Sequence, residues 1–86
     1  MNVIYSHKFL EDASALPGQI QGKLDRLLAT LAENPFHPLL HTKQLAGSLR
    51  QSYSFRITRD WRVIFHFDTE DTIRLVAVGH RKDIYR

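Results

Sequence analysis

The sequence predicts an α+β fold of order β-α-α-β-β-β, a small antiparallel sheet with an N-terminal helix pair packed on one face. A leucine-rich stripe at helical spacing fills the first half, and three runs of alternating apolar and polar residues fill the second. The links between those runs are too short for anything but hairpins, so the runs should form an antiparallel meander. Eighty-six residues suit one domain, 1–86, with a single modest core.

Each element has a local reason. Asn2 to Ser6 is short and partly β-branched or aromatic, which suits a first strand. Ser6 can cap a helix over about His7–Leu16, with Phe9, Leu10, Ala13 and Leu16 on one side. Pro17 suits the first turn of a second helix, where Ile20, Leu24, Leu27, Leu28 and Leu31 form an amphipathic stripe. Asn34-Pro35 should stop it, because the residue before proline is pushed out of helical geometry. Phe36 to Leu49 reads as irregular, punctuated by Pro38 and Gly47. Strands follow at roughly 51–58, 60–67 and 72–79, the last two joined by the acidic turn Asp68-Thr69-Glu70-Asp71.

Composition narrows the class. Without cysteine there is neither a disulfide framework nor a thiolate metal site, and no segment is apolar enough for a signal peptide or a bilayer span. A cytoplasmic domain with no membrane association is expected. Net charge is +3 and unevenly spread. Residues 1–42 carry three basic and four acidic side chains; residues 43–86 carry nine basic and five acidic. Three of those five acids crowd the turn at 68–71, so the rest of that half is strongly basic, as a polyanionic partner such as nucleic acid would require.

Period-two arithmetic sorts the strand side chains. Tyr53, Phe55, Ile57, Trp61, Val63, Phe65, Phe67, Ile73, Leu75 and Ala77 form an apolar set that should face the helices. The opposite set carries Arg56, Arg62, His66 and, where the last run ends, His80, mixed with Ile64, Val76 and Val78. Arg62 carries the most weight. An arginine in mid-strand is expensive to bury unless an anion meets it, and its planar fork suits phosphate. The plainer alternatives are a salt bridge to Asp60 or Asp83, or exposure on a one-sided sheet. Arg56 flanks it one strand away; a bend at Gly79 would aim Arg81 back across the sheet. His80 and Tyr85 suit proton transfer or base stacking, and Lys43 can reach a phosphate from the loop before the meander. His7, His37 and His41 lack metal-ligand spacing.

Taken together, Leu45-Ala46-Gly47, Arg56-Ile57, Trp61-Arg62-Val63-Ile64-Phe65 and Val78-Gly79-His80-Arg81-Lys82-Asp83-Ile84-Tyr85 resemble the RelE/ParE superfamily of bacterial toxins over essentially the whole chain, in its RelE-like branch with some YoeB-like features. The resemblance implies the toxin of a type II toxin–antitoxin system: a ribosome-dependent mRNA endonuclease that uses no metal or other cofactor. In that activity the 2′-hydroxyl attacks the adjacent phosphate and leaves a cyclic phosphate. Catalytic roles carry over to Arg62, Arg81 and Tyr85, with His80 as first candidate for the proton acceptor and Lys43 as second. Arg56, Lys43, Arg59 and Lys82 would contact RNA. The partners implied are mRNA, the ribosome and an acidic antitoxin that folds on binding and carries any operator-DNA contact. Two departures stand out: Ser54 and Arg56 occupy the stretch where RelE has two lysines, and Lys43 stands where YoeB-like members have a glutamate. The alternatives are a ParE-like gyrase inhibitor without nuclease activity, and a degenerate, non-toxic member.

Overall fold

A computed structural model describes residues 1–47 and 51–85. Residues 48–50 and Arg86, all within the basic half, lie outside them. The chain runs β1 (Asn2–Tyr5), α1 (His7–Ser14), α2 (Gly18–Glu33), a 3-10 turn (Pro38–Leu40), β2 (Lys43–Gln44), β3 (Tyr53–Arg56), β4 (Trp61–Thr69) and β5 (Thr72–His80). The fold is the expected α+β class, with one sheet in the order β1-β5-β4-β3-β2. Two features differ from expectation. β1 joins β5 in parallel, so the sheet is mixed, and the two-residue β2 pairs with β3 inside the stretch read as irregular.

The helices form for the reasons the sequence contains. Ser6 Oγ accepts the Phe9 N–H at 3.0 Å and donates to the Val76 carbonyl at 2.9 Å, so one side chain caps α1 and pins it to β5. Such a cap contributes about 1 kcal/mol. Asp12 accepts the Val78 N–H at 3.2 Å, where β5 runs on past the end of β1. On α2, Leu24, Leu27 and Leu31 are buried, while Ile20 and Leu28 pack at the margin. Asn34 is extended (φ −156°, ψ 104°) and ends the helix, as the following proline demands. Leu10 departs from its expected side: it is 54% exposed, whereas Phe9 enters the core.

The core lies between the helices and one sheet face, where Phe9, Leu24, Leu31 and Leu40 meet Phe55, Val63, Phe65, Ile73 and Leu75. Phe55 faces Val63 and Tyr53 faces Phe65 across β3–β4, so those alternations hold. β5 breaks its alternation. Ile64 pairs with Ala77 but Phe65 pairs with Leu75, leaving Val76 as an extra residue, a β-bulge. Beyond it every β5 side chain changes face. Val78, not Ala77, joins the core, and His80 lands opposite Trp61. A second irregularity at Asp68 carries β4 to Thr69, so the chain reverses at Glu70-Asp71 alone.

On the second face, Asp68 gathers Arg74 at 2.7 Å and His66 at 2.9 Å. Hydrogen bonding from Arg74 is the main reason the Asp68 carboxyl is held below its ordinary value of 3.8, and His66 adds to it. A lowered carboxyl pKa stabilises the fold above its unfolded value, and that contribution is lost as pH falls through the folded value. Asp68→Asn should therefore melt below wild type at neutral pH, and the gap should close as pH falls below 3.8. Phe65→Ala, which empties a fully buried site, should cost about 3–5 kcal/mol in denaturant unfolding.

Candidate functional site

The face turned away from the helices is built around Arg62. Cross-strand partners share a face, so the pairings Lys43 with Ser54 and Arg56 with Arg62 place Lys43, Arg56 and Arg62 on one side of three adjacent strands. Arg62 is only 8% exposed. Its Nε and Nη2 both donate to the Arg59 carbonyl, at 3.2 and 3.0 Å. Among the described residues no carboxylate pairs with it: Asp60 engages Arg81 instead, and Asp83 forms no ion pair. Its cross-strand neighbour is another cation, Arg56, and like charges placed directly opposite are destabilising. The simple salt bridge and the solvent-exposed strand arginine are thus both excluded. What remains is a desolvated guanidinium held by a neutral acceptor, an arrangement an anion would relieve.

The β3–β4 hairpin gives this arginine its seat. Ile57 and Thr58 N–H both reach the Trp61 carbonyl, and Thr58 Oγ1 accepts from Asp60 N and Trp61 N at 3.3 Å each. The tightened loop presents the Arg59 carbonyl to Arg62. It also holds Arg81, whose N–H donates to the Asp60 carbonyl at 2.7 Å and whose Nε lies 3.3 Å from Asp60 Oδ1. Consecutive loop residues therefore anchor both predicted catalytic arginines. The Arg81 ion pair is solvent-exposed and worth no more than about 1 kcal/mol, so an incoming phosphate can compete for it.

Gly79 does not supply the expected bend. It lies within β5 without a left-handed φ, and the chain turns after His80, whose carbonyl accepts the Asp83 and Ile84 N–H groups. The turn lays the tail over the arginine face: a Cβ placed on Gly79, the cross-strand partner of Arg62, would meet Ile84 Cβ at 3.9 Å. Tyr85 follows directly, half-buried, and its hydroxyl is buried without a hydrogen-bond partner among the described residues. His80 is not on this face. The bulge at Val76 sets it against Trp61, ring centroids 5.4 Å apart, and its Nδ1 accepts the Lys82 N–H at 3.2 Å. His66 shares a strand face with Arg62, but Asp68 occupies it. Arg59 and Lys82 are exposed at the rim, and neither side chain is in an ion pair among the described residues.

Sequence reasoning missed the role of the Arg59 carbonyl, and no side-chain pattern signals a backbone acceptor. Asp60, offered by the sequence as one alternative partner for Arg62, pairs with Arg81. No group of three or more His, Asp or Glu among the described residues is arranged to hold a metal ion, and no helix among them is long and apolar enough to cross a membrane.

The fold has known counterparts. The sequence matches the family described as the ParE toxin of the type II toxin–antitoxin system parDE over residues 3–85. The chain belongs to that toxin family. No curated protein sequence matches it. Among solved structures, YafQ from E. coli strain BL21(DE3) superposes with a TM-score of 0.83 at 20% identity, covering 99% of this chain and 98% of its own. A YoeB/ParE toxin from Agrobacterium tumefaciens gives 0.80 at 16% identity, covering 94% and 99%. The toxin–antitoxin complex RelBE2 from Mycobacterium tuberculosis gives 0.78 at 23% identity, covering 93% and 96%. The ParE-family chain is therefore a type II toxin with the RelE/YoeB/YafQ fold, as the sequence motifs implied.

In this toxin the buried Tyr85 hydroxyl should weaken the fold, since an unsatisfied buried donor costs about 1–3 kcal/mol. Tyr85→Phe should raise the unfolding free energy by an amount in that range, measured by urea titration.

Proposed function

We propose that this toxin cleaves messenger RNA on the ribosome, without metal, through attack of the RNA's own 2′-hydroxyl. The observation that carries the reading is Arg62, buried at the centre of the sheet with a carbonyl for a partner, no carboxylate among the described residues, and Arg56 across from it. Attack by the 2′-oxygen forms a bond to phosphorus, and the P–O5′ bond then breaks, leaving a 2′,3′-cyclic phosphate and a 5′-hydroxyl. The proton leaves the 2′-oxygen for a base, and the departing 5′-oxygen gains one. In between, the phosphorane carries an extra negative charge on its equatorial oxygens. Arg62 and Arg81, both seated on the 59–60 loop, are the groups that would neutralise it.

Tyr85 would stack on a base or protonate the leaving oxygen once the tail turns its hydroxyl outward. Of the two proton acceptors considered, Lys43 stands on the arginine face and His80 on the other, so the geometry favours Lys43. A lysine accepts a proton only when neutral. Arg56, Arg59 and Lys82 would hold the RNA backbone. The solved complexes with this fold pair a toxin with an antitoxin, which supports an acidic partner that folds over the basic face.

The match to the ParE family favours a second reading, a gyrase inhibitor without nuclease activity. Induced expression separates the two. Primer extension on message from arrested cells should show discrete cuts within translated regions, whereas intact message with double-strand DNA breaks would establish the gyrase reading. Arg62→Ala should lower the cleavage rate by about 10²-fold or more and relieve growth arrest. Full toxicity in a folded Arg62→Ala protein would remove Arg62 from catalysis.

A further inference from the structure

A second basic cluster opens at the free edge of β3. Pairing with β2 stops at Ser54, so among the described residues no strand covers the outward edge at Arg56. There a cavity of about 170 Å³ is lined by Lys23 of α2, by His41, and by Arg56, Thr58 and Arg59 of the hairpin. Among the described residues no carboxylate lines it, and none pairs with Lys23, Arg56 or Arg59. His41 enters from a left-handed backbone (φ 49°, ψ 42°), a conformation uncommon for a residue other than glycine. No local sequence pattern draws Lys23 and His41 together, since they lie far apart in the chain and meet only through the fold.

Three unpaired cations around one small cavity repel each other, and an anion converts that repulsion into attraction. The donors suit phosphate: two guanidinium forks, an ammonium, a hydroxyl and an imidazole that can donate N–H. The volume is below the roughly 300 Å³ at which drug-sized ligands begin, so the cavity fits a phosphate group rather than a whole nucleotide. Arg56 links it to the site already described, since Arg56 and Arg62 are cross-strand partners.

We infer that this cavity is a second phosphate subsite, seating a backbone phosphodiester of the same RNA strand whose reacting phosphate lies at Arg62. The inference rests on the RNA reading above. Lys23, His41 and Thr58 thereby become RNA-contacting residues.

The test is equilibrium binding of a short single-stranded RNA as a function of salt, comparing wild type with Lys23→Ala and Arg26→Ala. Both substitutions remove one positive charge from exposed positions of α2, but only Lys23 lines the cavity. Each lost phosphate contact should make the slope of log K against log salt shallower by about 0.7. Lys23→Ala should show that change and Arg26→Ala should not, in the wild-type and in the Arg62→Ala background alike. Equal slopes for Lys23→Ala and Arg26→Ala would overturn the subsite while leaving cleavage by Arg62 standing. Unchanged RNA slopes with weakened binding of an acidic antitoxin peptide would overturn it too, by assigning the cations to carboxylates. If cleavage survives Arg62→Ala but the Lys23-specific slope change is present, the catalytic assignment falls and the subsite stands. Absence of RNA binding by wild type would overturn the subsite, while cleavage on the ribosome would still be decided by primer extension.

Discussion

A guanidinium taken almost wholly out of water, with a peptide carbonyl as its one hydrogen-bond partner among the described residues, is the constraint around which this molecule is arranged. The effective penalty for desolvating an ion reaches several kcal/mol, and neutral hydrogen bonds offset only part of it. Two features serve Arg62 directly. Thr58 tightens the β3–β4 hairpin so that the Arg59 carbonyl points at it, and the tail beyond His80 lies over its cross-strand neighbour Gly79. The apolar core beneath supplies the rigidity, with Val63 and Phe65 of the arginine's own strand fully buried. The stability of the helix-side face thus sustains an unfavourable charge on the other.

That second face is electrostatically divided along β4. Toward Thr69, Asp68 draws in both Arg74 and His66 and neutralises that end. Toward Trp61, the only carboxylate in a contact is Asp60, spent on Arg81 in an exposed pair, while Arg56 and Arg62 have none among the described residues. A net charge of +3 understates the potential at the working end, because Asp68, Glu70 and Asp71 sit together at the far end of the same strands.

Much of this was legible in the residues. Ser6 announced its cap, the α2 leucines their stripe, and Arg56 and Arg62 their common face, because each signal is local and periodic. The bulge at Val76 was not legible. A period-two count assumes one residue per step, and a single extra residue inverts everything after it, which is how His80 and Val78 came to be assigned to the wrong face. β2 escaped notice because two residues carry no period at all. The tail folding back over Gly79, the cross-strand partner of Arg62, is a tertiary fact that no window of sequence contains. Asp60 stands next to Trp61-Arg62 in sequence, yet its carboxylate meets Arg81, because the hairpin and not adjacency decides which arginine it reaches.

The junction of Ser6 and Asp12 with β5 has a consequence of its own. β1 covers β5 only as far as Leu75, and the strand continues to His80 with its outer hydrogen-bonding groups uncovered by any strand. Ser6 Oγ takes the Val76 carbonyl and Asp12 takes the Val78 N–H. Those two bonds occupy two of the backbone groups through which another chain would template onto this margin. A carboxylate there also repels the carbonyl row of an approaching strand. This flank of the sheet is therefore protected against edge-to-edge polymerisation, even though its apolar core strands would otherwise suit stacking into fibrils.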